Sequence, residues 1–115
     1  MKAFAALLLA CCFASVVSPA IAGTQTAFVK DIYIRDSDGL IIVDLTGNAA
    51  SGHPACALQP YWIIPSENSE TGRHLLALLI AAQISSRYVI IQGKNTCSRW
   101  PDGEDIESVG MMGLQ

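Results

Sequence analysis

Positive charge is scarce in this sequence: 7 Lys and Arg stand against 10 Asp and Glu in 115 residues, for a net charge of −3. Beyond Lys2 the cations are scattered singly as Lys30, Arg35, Arg73, Arg87, Lys94 and Arg99. There is thus no basic stripe of the kind that neutralises a phosphate backbone, and nucleic acid is excluded as an expected partner. The same count disfavours attraction to an anionic membrane surface. Histidine is scarcer still, with only His53 and His74, which limits general-base chemistry near neutral pH. No G-x-S-x-G, H-E-x-x-H, phosphate loop or dinucleotide fingerprint occurs. The expectation is a protein that is not an enzyme and carries no cofactor.

What is present begins at the first residues, "MKAFAALLLACCFASVVSPAIAG". A lysine, an apolar run and an A-x-A ending at Ala20 to Ala22 are the parts of a secretory signal peptide, so residues 1–22 are expected to be cleaved after Ala22. A retained transmembrane helix fits less well, because Ser15 and the Ser18–Pro19 pair interrupt the run. Lipid attachment at Cys11 would strand an apolar segment behind the cysteine. Export to the periplasm or the exterior follows, with no membrane insertion of the mature chain. The remaining 23–115 are long enough for one domain.

Removing the leader takes away Cys11, Cys12 and Lys2, moving the net charge to −4 and leaving Cys56 and Cys97. Two cysteines in an exported chain are most simply one disulfide. A zinc site drawn from His53 and Cys56, an H-x-x-C spacing, with Cys97 and His74 is the competing reading. It lacks the second tight ligand pair usual in structural zinc sites.

Hydrophobic patterning predicts five strands and one helix. "AFVKDIYIR" (27–35) and "LIIVDLTG" (40–47) flank the turn signal "DSDG", so they read as a hairpin, and the break in alternation at Lys30 and Asp31 predicts a bulge. "LQPYWIIP" (58–65) reads as a third strand. The Leu- and Ala-rich stretch from Glu70 to Ser85 reads as a helix with Ser69 as N-cap and Glu70 in the first turn. "RYVIIQG" (87–93) and "DIESVGMMG" (105–113) complete the set. The order β-β-β-α-β-β is that of the OB-fold, a mainly β, five-stranded Greek-key barrel with one helix.

On the helix, Leu75, Leu76, Leu78, Leu79, Ile80 and Ile84 cover roughly 240 degrees at about 100 degrees per residue, more than a small barrel needs. A second flank buried in a homo-oligomer, with Leu75, Leu78 and Leu79 as interface residues, is one account. A deeply seated helix with ordinary exposed leucine is the other.

Candidate ligand residues lie around "TCSRWPDGEDI" (96–106). Trp100 beside Asp102 suits a sugar, whose C–H face stacks on the indole while the carboxylate accepts from hydroxyls; Trp100 packed over the disulfide is the structural alternative. Tyr61 and Trp62 must face opposite sides of their strand, one to the core and one accessible. The carboxylates Asp102, Glu104, Asp105 and Glu107 could be imagined as a glycoside-hydrolase pair. A solvated acidic turn is the simpler account.

An export signal, "PAC" before an aromatic strand, the helix "GRHLLALLIAA", a strand ending in Gly and "TCSRWPDGEDI" together resemble small secreted bacterial proteins related to the B subunits of AB-type toxins, such as the subtilase cytotoxin and pertussis-like relatives. The resemblance implies an OB-fold, a Cys56–Cys97 disulfide, a ring with helices at its centre, binding of cell-surface glycans, and a secreted A-subunit-like partner. No sugar-contacting motif of those toxins is matched here. The functional expectation is a non-enzymatic binding module for glycans; the alternative is an envelope structural or protein-interaction module, acting as inhibitor or accessory subunit.

Overall fold

The computed structural model describes residues 22–47 and 50–113. The expected signal peptide, apart from Ala22, and the lipid-attachment alternative at Cys11 lie outside the described residues.

Strand β1 runs Thr24–Ile34, starting three residues ahead of the expected boundary. Its first half alternates as a half-buried strand should, with Gln25, Ala27 and Val29 inward and Thr24 and Thr26 outward. The pairing register with β2 (Ile41–Leu45) slips between Val29 and Asp31, which is the bulge anticipated from Lys30. The hairpin closes through the Gly39 N–H to the Arg35 carbonyl at 2.8 Å and the Arg35 N–H to the Leu40 carbonyl at 2.9 Å. Gly39 sits at φ +75°, a left-handed conformation that glycine adopts without a Cβ penalty.

Strand β3 is only Trp62–Ile63, shorter than the expected 58–65. Pro60 and Pro65 flank it and have no N–H to give a ladder. Helix α1 spans Glu70–Ile84, with Ser69 as N-cap: its hydroxyl accepts from the Gly72 N–H at 2.9 Å, and Glu70 lies in the first turn. Gly72 is demanded by packing, because a Cβ there would lie 1.9 Å from the Ser66 carbonyl oxygen. Strands β4 (Tyr88–Gly93) and β5 (Glu104–Met111) follow.

The five strands close into a barrel in the order β1-β2-β3-β5-β4, with β1 and β4 pairing antiparallel to complete the circle. Every pairing is antiparallel except β3 with β5, which runs parallel through Trp62 opposite Glu104 and Ile63 opposite Asp105. Inside lie Val43, Trp62, Val89, Ile91 and Ile106, with Leu79 and Ala82 of α1 plugging one side. Burying each of the larger aliphatic side chains contributes about 1.5–3 kcal/mol.

The helix corrects one interface expectation. Leu79 is fully buried in its own barrel, so it is not available to a neighbouring subunit. Leu75 and Leu78 are half-buried, and the exposed apolar members are Ile80 and, at 80% exposure, Ile84. His74, Ala77, Ala81 and Ser85, between the bulky residues, all face solvent.

Cys56 and Cys97 form a disulfide with Cα atoms 6.2 Å apart. Both sulfurs are thereby committed, which removes the zinc reading; no cluster of three or more potential metal ligands occurs among the described residues. Among the same residues no helix is long and apolar enough to cross a membrane.

Candidate functional site

The stretch from Asn95 to Ser108 enters β5 through the disulfide loop, and its acidic residues divide into buried and exposed. Glu104 and Asp105 are fully buried, contrary to the expectation of a solvated turn. The reason is visible in their partners, since a buried carboxylate is tolerated only where donors replace its water. Asp105 accepts from the Thr96 hydroxyl at 2.7 Å, the Ser98 N–H at 2.8 Å and the Arg99 N–H at 3.3 Å, so it folds the disulfide loop around itself.

Glu104 occupies the other face of β5. It receives the Asn95 N–H at 3.0 Å, the Gly23 N–H at 3.1 Å to each oxygen, and the His53 Nδ1 at 2.7 Å. The His53 ring also lies 4.9 Å from the Trp62 ring. His53, although on a loop, is tied to the barrel interior through Glu104. Glu104 and Asp105 are thus shut away from solvent, whereas Asp102 is half-buried and Glu107 exposed.

Tyr61, Trp100 and Asp102, three separate candidates in the sequence, come together at one end of the barrel. Trp62 is the core member of its pair and Tyr61 the half-buried one. The Tyr61 hydroxyl donates to Asp102. Burial first, and then that hydrogen bond, push the phenol above its ordinary value, with the neighbouring Trp100 side chain opposing. Trp100 is half-buried, and the Arg35 guanidinium lies 4.4 Å from its ring centroid as a cation–π partner. Arg35 is itself held by Asp38 through bonds of 2.8 and 2.6 Å. The cluster is therefore assembled, but its polar groups and one aromatic face are already occupied by protein.

A more open feature lies on the outer face where β1 meets β4. A groove of about 470 Å³ runs along the outward side chains of β1 and the segment after β2. Thr24, Thr26, Thr46 and Ser51 supply hydroxyls, and none of the described lining residues is charged. At one end Phe28 and Tyr88, directly opposite each other across the strands, stack with ring centroids 4.0 Å apart. Tyr88 remains 50% exposed, so it offers the groove both a ring and a phenol. The other end is fixed by reciprocal backbone bonds between Thr24 and Ser51, at 3.0 and 3.2 Å.

Sequence reasoning passed over these groove residues because isolated threonines and serines carry no motif. The signal that could have found them is the alternation Thr24, Thr26, Phe28 on the face opposite the core. No family of proteins, no curated protein and no solved structure matches this chain.

Proposed function

We propose that this protein is an exported, non-enzymatic binding module that takes glycans on an OB-fold barrel, in the manner of a toxin B subunit. The observation that carries this reading is the uncharged groove, in which several hydroxyls converge beside a half-exposed tyrosine. A sugar ring exchanges its hydration for such hydroxyls and stacks its C–H face on an aromatic ring. Without charge in the lining, recognition rests on hydrogen bonding and stacking, so binding depends only weakly on salt. The barrel with one helix after its third strand and a parallel β3–β5 seam supports the OB-fold assignment.

The same reading includes a homo-oligomer using the Leu75 and Leu78 flank together with Ile80 and Ile84, and a secreted A-subunit-like partner. It places the working protein outside the cytoplasm. A glycan array probed with the mature protein tests the central claim, with Tyr88→Ala and Thr26→Val as variants. Binding that falls at least about tenfold in Tyr88→Ala supports the groove. No binding to any sugar by the parent, or undiminished binding by both variants, defeats it.

The alternative, an envelope protein-interaction module, draws on a different observation. Ile84, Met111 and Met112 are large apolar residues left exposed, the kind of side chain a protein partner covers. A stoichiometric protein partner lost in Ile84→Asp, with no sugar bound, would favour it.

A further inference from the structure

The ordered barrel takes hold of the chain at Gly23, the residue that follows the expected cleavage point. Gly23 is buried while Ala22 before it is half-buried. Its carbonyl accepts from the Gly93 N–H at 2.9 Å, and its nitrogen lies 3.1 Å from both oxygens of the fully buried Glu104.

An ordinary peptide N–H suits this place poorly. It has one hydrogen to share between two carboxylate oxygens and carries no formal charge, and His53, whose Nδ1 lies 2.7 Å from Oε1, is a counter-charge only when protonated, whereas an ion buried in a protein is costly unless a counter-charge lies beside it. We propose that the native group at this position is the α-ammonium of a mature N-terminal Gly23, a structural counter-ion for Glu104. The inference rests on the export reading. Hydrolysis of the Ala22–Gly23 bond by an envelope peptidase breaks the C–N link and adds one water. The oxygen goes to Ala22 as a carboxylate and the hydrogens go to Gly23 as an ammonium. That group brings three N–H donors and a positive charge to oxygens already within hydrogen-bonding distance.

The residue types around the nitrogen fit this role. A Cβ on Gly23 would lie 2.4 Å from Glu104 Oε1 and 2.9 Å from His53 Nδ1, so only glycine lets the terminus approach. A Cβ on Gly93 would lie 1.6 Å from Glu104 Oε2, so a second glycine makes room for the carboxylate itself. Processing thus completes the fold, because the new terminus is held in the barrel wall by Glu104 and Gly93.

Expression of the full chain with export, followed by intact mass and amine labelling of the purified product, tests this. The expected mass begins at Gly23. In the folded protein an amine-acylating reagent near neutral pH labels Gly23 at least about tenfold more slowly than in urea, although a free α-amine normally reacts ahead of lysine because it deprotonates more readily. Lys30 and Lys94, both exposed, serve as internal references. Glu104→Gln, or Gly23→Ala should the first variant not fold, releases the amine to free reaction. A product beginning elsewhere, or a folded parent whose Gly23 amine reacts as readily as in urea, overturns the inference while leaving export intact. A chain recovered uncleaved, with residues 1–22 attached, overturns both.

Discussion

Arg99 grips Glu67 through its Nε, at 3.0 and 3.1 Å to the two carboxylate oxygens, and through Nη2 at 2.7 Å to one of them. The same Nη2 donates to the Asp38 carbonyl at 3.0 Å. One side chain therefore joins the disulfide loop, the approach to the helix and the β1–β2 turn.

The hydrogen bonds from Arg99 hold the Glu67 carboxyl below its ordinary value of 4.5. A carboxyl depressed in the folded state stabilises above its unfolded value, and that contribution is lost as pH falls through the folded value. Glu67→Gln should lower stability at pH 7 by about 1 kcal/mol. Urea melts of parent and variant should differ at pH 7, and the gap should narrow as pH falls below 4.5 and through the lower folded value. A gap that persists unchanged at pH 3 would show that the carboxylate charge is not responsible.

The disulfide closes a loop with a sequence separation of 41 residues. Chain-entropy reasoning gives such a link about 4 kcal/mol. The Cys56→Ser, Cys97→Ser double variant should accordingly lose most of the margin of a small domain in chemical denaturation. A loss under about 1 kcal/mol would mean that the unfolded chain is already held compact by other contacts.

Leu79 and Ile84 lie on one helix with opposite fates, the first fully buried and the second 80% exposed. Leu79→Ala should cost about 2–5 kcal/mol through the cavity it leaves. Ile84→Ala should change monomer stability by less than about 0.5 kcal/mol. Light scattering of Ile84→Asp against the parent then reports on assembly alone, and identical monomeric masses would remove the oligomer proposal.

Much of the fold was legible because local patterns agree with the barrel. The turn signal at Asp36 to Gly39, the bulge at Lys30 and the Ser69 cap are each set by neighbouring residues, and each stands where the sequence puts it. The pair Cys56 and Cys97 was likewise readable as a bond. Burial of Glu104 and Asp105 was not legible. Their partners come from Gly23, His53, Asn95 and Thr96, brought in by barrel closure or by backbone donors that any residue carries. A local run of acids reads as solvated until its distant donors are known. The helix presented a related difficulty: periodicity marks an over-wide apolar face, but only the packed barrel distinguishes Leu79, which fills its core, from Ile84, which does not.

The two-residue strand Trp62–Ile63 gains its parallel partner only when residues 104–111 arrive. Until that segment is delivered, β1, β2 and β4 can form no more than an open sheet with free edges, and circular closure waits on contacts some forty residues apart. A barrel sealed by its latest ribbon is therefore a finished vessel only once that whole ribbon is in place.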